Sequence, residues 1–313
     1  MGSNGFKKYF VKAPVPKVGK LQKIAVGDGV THWSIVTAKV KKKNLGVVHL
    51  LDTWLTPDGS AYVTGWKPVP LPEEVSAVDV DCASDGTVIA IGDNGSAYRF
   101  IKSEGMFREI VMTSYFFTEV SVGTNDFIFL VGYKKGSKKD NTIYRYLGEN
   151  LVEPYGKNMG SKISVAENGT LCYVLEHGNY IVKMYEYGND AVVVFKNFPY
   201  QLVSIGKDDR SIFFLDKNNE LGLAYHTGQW EPIEPIMNNY TPPPVGSKTT
   251  KGTWTVDPFP EKRKIIDANS SSRVDLAIIV NYTVPATKKT AAHKVTEAFF
   301  SVRQPIITKV KPH

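Results

Sequence analysis

The residues best placed to do chemistry are few. Asp79 and Asp81, in "SAVDVDC", stand two apart and so share one side of a strand. Such a pair can hold a cation or share acid–base work, or can simply be hydrated or bonded to backbone. Lysines gather in three runs: Lys39, Lys41, Lys42 and Lys43 in "AKVKKK", Lys134, Lys135, Lys138 and Lys139 in "YKKGSKKD", and Lys288, Lys289 and Lys294 in "TKKTAAHK". Such runs attract acidic proteins, phosphates or sulfated glycans, or serve only to keep hairpins soluble. They lack interleaved aromatics that would stack on bases, which argues against nucleic acid.

The six histidines (32, 49, 177, 226, 293 and 313) show no metal-ligand spacing. Cys82 and Cys172 each lie in an apolar run and read as buried thiols, with a disulfide as the alternative. There is no nucleophile elbow, phosphate-binding loop or dinucleotide fingerprint. The sequence therefore predicts no catalytic residues, metal or cofactor, and a protein that binds rather than catalyses. A propeller hydrolase, with a site assembled from scattered residues, is the third possibility.

The elements that must carry these residues repeat. "VDCASDGTVIAI", "VSVGTNDFIFLV", "ISVAENGTLCYV" and "VSIGKDDRSIFFL" each give a strand, a small residue, a polar turn and a second apolar strand; "IAVGDGVTHWSIV" fits too. The residues before the small one are Val26, Cys82, Val122, Val165 and Ile205, the last four 40 to 43 apart. A third strand follows ("SAYRF", "TIYRY", "IVKMY", "LGLAY"), then a fourth opened by Trp66, Phe107, Tyr155, Phe195 or Trp230. Four short strands per ~40 residues predict blades of a β-propeller. "TVIAI" and "FIFLV" are apolar on both faces, as strands sandwiched between neighbouring blades must be.

The expected fold is all-β: one six-bladed propeller of four-stranded antiparallel blades. The blades span approximately 20–70, 71–112, 113–157, 158–198, 199–235 and 262–303. Residues 6–16 supply the last blade's fourth strand and close the ring, which removes two exposed edges. Residues 231–264, rich in proline, read as a long loop with Tyr240, Trp254 and Phe259 as contact residues. Residues 304–313 form a tail. The stripe Ala292, Val295, Phe299 and Val302 also fits a helix, and a helix at 289–303 would leave five blades.

The repeats resemble those of the tectonin family (tachylectins and tectonins), most closely in "ASDGTVIAIGDNGSAYRF" and "GTNDFIFLV…NTIYRY", over roughly residues 20–235. The resemblance implies a six-bladed ring used for binding, as a carbohydrate-binding lectin or a docking module. The family's second-strand Trp survives only as Trp33; Ile89, Phe129, Tyr173 and Phe213 replace it. Sugar sites need flat aromatic faces, so a lectin would rely on Trp33 and Trp230.

The lysine runs fall between second and third strands, whereas Asp28, Asp85, Asp126, Glu167, Asp208 and Asp209 fall between first and second. Alternate turns emerge on opposite rims, so a disc with one lysine-rich and one acidic face is expected. The chain carries net charge +7. Its expected partner is an acidic protein or other anionic ligand, with carbohydrate as the alternative. No run reaches the ~18 apolar residues of a membrane helix, and a signal peptide and a myristoylation motif are absent. A soluble, cytoplasmic chain is expected; only secretion would give meaning to glycosylation-type triplets at Asn94, Asn168, Asn239, Asn269 and Asn281.

Overall fold

The computed structural model describes residues 6–13, 16, 19–27, 31–40, 43–55, 61–72, 75–175, 182–185, 192–195, 200–207, 209, 211–224, 230–241, 246, 248, 253–260, 262–271, 275–287 and 290–302. Strands dominate them, and the fold is all-β and propeller-like.

An N-terminal strand β1 (Phe6–Lys12) precedes a run of antiparallel meanders. The first sheet is β2 (Lys20–Val26), β3 (His32–Val40), β4 (Lys43–Leu55) and β5 (Ala61–Pro68). The second is β6 (Ala77–Cys82), β7 (Val88–Gly92), β8 (Ala97–Ile101) and β9 (Met106–Ile110). Next come β10 (Tyr115–Thr124), β11 (Phe127–Lys134), β12 (Thr142–Gly148) and the long β13 (Leu151–Val165). The first part of β13 pairs with β12; its last residues pair with β14 (Leu171–Leu175), which continues through β15 (Val182–Tyr185) to β16 (Val192–Phe195). Then follow β17 (Tyr200–Ile205), β18 (Ile212–Asp216), β19 (Leu221–Ala224) and β20 (Trp230–Thr241). After β21 (Thr253–Pro258) the last meander is β22 (Lys264–Ser270), β23 (Leu276–Val284) and β24 (His293–Val302).

The core lies between sheets, and the second strands show why. Along β7, Val88 and Ala90 pack with Trp33, Ile35 and Val48 of the first sheet. Ile89 and Ile91, pointing the other way, pack with Val120, Val122 and Leu130. Both faces of the strand are therefore covered, at roughly 1.5–3 kcal/mol per fully buried large aliphatic side chain. Further clusters join Phe129 to Tyr173, Val174 to Phe214, Phe213 to Ile278 and Phe299, and Ile279 to Ile24 and Val36.

The first strand of each meander lies beside the next: β2 by β6, β6 by β10, β10 by β13, β13 by β17, β17 by β22, and β22 again by β2. At the other margin β1 pairs antiparallel with β24, Tyr9 opposite Val302, and parallel with β20, Phe6 opposite Ile233.

Residues 293–302 form a strand, as the main reading expects, in register with β23 from Ala277–Phe300 to Val284–His293, so the helical alternative fails. One expectation needs correction. The segment read as a loop over 231–264 is largely a hairpin: β20 pairs with β21, Tyr240 opposite Trp254. Its prolines misled the reading, because proline is tolerated wherever the ladder needs no N–H. Phe259 is buried against Phe10 and Phe299, so it pins the hairpin to the core and is no exposed contact residue.

Candidate functional site

Where the first strands meet, polar side chains replace the core. The residue before Val26, Cys82, Val122, Val165, Ile205 and Ser270 of the six first strands is Ala25, Asp81, Ser121, Ser164, Ser204 and Asn269 respectively. Five of these accept a backbone N–H from the neighbouring first strand. Val122 N–H donates to Asp81 Oδ2 (2.8 Å) and Val165 N–H to Ser121 Oγ (3.0 Å). Ile205 N–H donates to Ser164 Oγ (2.9 Å), Ser270 N–H to Ser204 Oγ (2.9 Å) and Val26 N–H to Asn269 Oδ1 (3.2 Å). Ala25 has nothing to offer, and across that gap Asn269 Nδ2 donates to Asp81 Oδ1 (3.3 Å). The tier satisfies strand N–H groups that no sheet partner covers.

Two residues earlier a charged tier repeats the device. Asp79 Oδ2 accepts Val120 N–H (2.8 Å), Asp267 Oδ2 accepts Ile24 N–H (2.7 Å) and Glu119 Oε2 accepts Lys162 N–H (2.6 Å). Lys23 Nζ sits 3.2 Å from Asp79, and Lys162 Nζ 3.5 Å from Glu119. The Asp79 carboxylate holds the Lys23 ammonium pKa well above its usual range. Burial pushes Asp79 up against the pull of Lys23, and burial raises Asp267 to about 6.

A buried lysine adjoins these polar tiers. Lys207 leaves the turn after β17 and is 3% exposed. Its ammonium lies 3.3 Å from Asp81 Oδ2 and 3.5 Å from the Val165 carbonyl, and donates also to the Val122 carbonyl. Lys207 N–H and C=O bond to the turns on either side, Ser271 and Glu167. A pocket lined by Lys23, Asp79, Glu119, Lys162 and Asp267 has a volume of about 40 Å³. That is room for a few waters or a small ion, not for a sugar ring. Asp79 and Asp81 thus serve as backbone and ammonium acceptors. Sequence reading found this pair but missed Ser121, Ser164, Ser204, Asp267, Asn269 and Lys207. The available signal was the polar residue just before every anchor position except Val26 in otherwise apolar strands.

The described lysines of the three runs lie in or beside the connections between second and third strands. Lys39 and Lys43 flank the β3–β4 turn; Lys134 ends β11, and Lys135, Lys138 and Lys139 occupy the β11–β12 connection; Lys294 follows the β23–β24 connection. All seven are exposed, with Lys138 3.8 Å from Asp140 and Lys139 5.9 Å from the Tyr133 ring centre. Lys41, Lys42, Lys288 and Lys289 lie outside the described residues.

On the first-to-second turns Asp85, Asp126 and Glu167 are exposed and Asp209 is half-buried, and three of these carboxylates also accept hydrogen bonds. Asp85 Oδ2 accepts Asn125 N–H (2.7 Å), Glu167 accepts the Ser84 hydroxyl, and Asp209 Oδ2 accepts Asn168 Nδ2 (2.8 Å) and Thr170 Oγ1 (3.0 Å). These carboxylates tie one meander to another. Asp28 and Asp208 lie outside the described residues.

The aromatic sites divide. Trp33 is 2% exposed, edge-on to Phe100 (4.9 Å) and Phe107 (6.0 Å) of the next sheet, which removes it as a sugar platform. Trp230 is 41% exposed beside Phe214. The backbones of Tyr240 and Trp254 are in strands; their side chains lie outside the described residues. Cys82 and Cys172 are both buried free thiols, so the disulfide alternative fails. His32 and His49 are buried strand residues and His293 is exposed; His177, His226 and His313 are outside the described residues. Among the described residues no His, Cys, Asp and Glu cluster could hold a metal, and no helix is long and apolar enough to cross a membrane.

No protein-family model and no curated protein matches this chain. Among solved structures it is similar to one described as "YCF48 bound to D1 peptide", at 8% identity over 96% of each chain and a TM-score of 0.49.

Proposed function

We propose that the chain is a closed six-bladed propeller that works as a binding or assembly module, docking an acidic protein partner on its lysine-bearing turns. The six-bladed reading is supported by the cycle of neighbouring first strands, by the polar tier that links them and by the pairing of β1 with β24. Docking rests on one observation: the described lysines of all three runs are exposed in or beside connections of the same kind, between second and third strands. Equivalent turns of up-and-down blades emerge on one rim, so their charges add into a field that steers acidic partners. The polar tiers contribute stability. A tectonin-type sugar site would have to be built around Trp230.

The test is capture of a partner by wild type and by a variant carrying Lys134→Glu, Lys135→Glu, Lys138→Glu and Lys139→Glu. Exposed turn substitutions cost about 0.5 kcal/mol or less each, so folding should survive. Wild type should hold its partner at low salt and release it near ~300 mM, where screening shortens the field. The variant should fail at both. Equal retention by the variant, with salt-insensitive binding, would sink the proposal.

A further inference from the structure

A second surface feature lies at the opposite rim, where first-to-second and third-to-fourth turns emerge. A cleft of about 350 Å³ opens between the β6–β9 and β10–β13 meanders. Arg99 and Arg145 line it from equivalent positions of successive units, in "AYRF" and "IYRY". Both guanidiniums are held. Arg99 donates to Asn125 Oδ1, and Asn125 is itself fixed through its N–H to Asp85. Arg145 lies over the Phe127 ring, 5.6 Å from its centre.

Asp126 also lines the cleft, so its wall carries two positive charges and one negative; Glu153, opposite Arg145 in the β12–β13 register, is not part of the lining. Apolar surface adjoins the charge: Leu147, in the lining, is 50% exposed, and Leu151, across the same hairpin turn, is 60% exposed.

We infer that this cleft is a docking site for an acidic side chain of a partner protein flanked by apolar residues. A planar guanidinium matches a carboxylate through two parallel hydrogen bonds, and guanidiniums already held by Asn125 and Phe127 lose little freedom on binding it. Leu147 and Leu151 supply the contact for the flanking apolar groups, whose burial adds affinity without charge. The exposed Leu147 and Leu151 beside the charges favour a carboxylate set among apolar residues over a free phosphate, which has no apolar surface to bury there. The site does not depend on the lysine-bearing turns and stands or falls separately from them.

The test is an NMR titration with a blocked pentapeptide carrying Glu between two leucines, against the same peptide with Gln. The Glu peptide should shift the amide resonances of residues 125–127 and 145–148; the Gln peptide should bind more weakly by roughly tenfold. Arg99→Gln and Arg145→Gln should each weaken the Glu peptide by a similar factor. Leu147→Asp, altering a half-exposed side chain, tests the cleft if either arginine variant folds poorly, and should also abolish the shifts. A Lys134→Glu, Lys135→Glu variant should bind as wild type. Equal binding of the Glu and Gln peptides, shifts that survive Leu147→Asp, or stronger shifts with inorganic phosphate would each overturn the assignment.

Discussion

Lys207 begins on a surface turn and ends with its charge among strand carbonyls, and its partner Asp81 also carries the hydrogen bond to Val122. Removing one member of a buried pair strands the other and typically costs about 3–5 kcal/mol. Lys207→Met should therefore lower unfolding free energy by about 3 kcal/mol or more in a denaturant titration. Adding Asp81→Asn should recover part of that loss; strictly additive costs would show that the two groups do not interact. Asp267 makes the opposite case. Its folded pKa, raised by burial to about 6, exceeds the ordinary 3.8, so the folded state binds more protons than the unfolded state between those values. Stability thus falls as pH rises from about 4 to 6, by up to about 3 kcal/mol for a two-unit shift, and stays reduced above. Asp267→Asn still accepts from Ile24 N–H and removes the charge, so its stability relative to wild type should improve from pH 4 to pH 7.5. A pH-independent difference would show that Asp267 is ionised like an ordinary carboxylate.

At the scale of elements, the first strands converge so closely that the residue after each polar tier position and anchor must be small: Gly27, Ala83, Gly123, Ala166, Gly206 and Ser271. A Cβ on Gly123 would lie 2.1 Å from the Ala166 carbonyl oxygen. Gly123→Ala should cost about 3 kcal/mol through backbone displacement. Gly86→Ala, at φ +86° with open space around it, should cost only the ~1–2 kcal/mol of a left-handed residue. Equal thermal shifts in the two variants would contradict the close approach. The small residue was legible in each repeat, as was the double-faced apolar second strand, because both are local patterns. Ser164 bonding Ile205, or Lys207 reaching Asp81, joins residues 41 and 126 positions apart and leaves no mark within either segment. Trp33 was ambiguous for a related reason. An aromatic in an apolar strand can face solvent or core, and Phe100 and Phe107 of the next sheet decide it.

For the whole molecule the critical junction is β1, because its two partners belong to different parts of the chain. It pairs with β24 on one side and β20 on the other, with Phe10 fully buried among Phe213, Phe259 and Phe299. Such pairing joins residues some 290 positions apart, Tyr9 to Val302 for example, and long-range strand pairing of this kind is slow to form. A chain lacking residues 1–13 would expose the margins of β20 and β24, and uncovered strand edges recruit other chains. It would also lose Phe10, whose truncation alone in a core costs about 3–5 kcal/mol. The shortened protein should melt well below the full chain and elute as oligomers in size-exclusion chromatography. A synthetic peptide of residues 6–13, added in excess, should fill the vacant place by mass action, restoring the elution volume of the full chain and raising the melting temperature with peptide concentration. The same peptide with Phe10→Ala should rescue poorly. If the shortened chain eluted with the full chain and melted at the same temperature, β1 would be dispensable, and the first-strand contacts between β22 and β2 alone would hold the first and last meanders together.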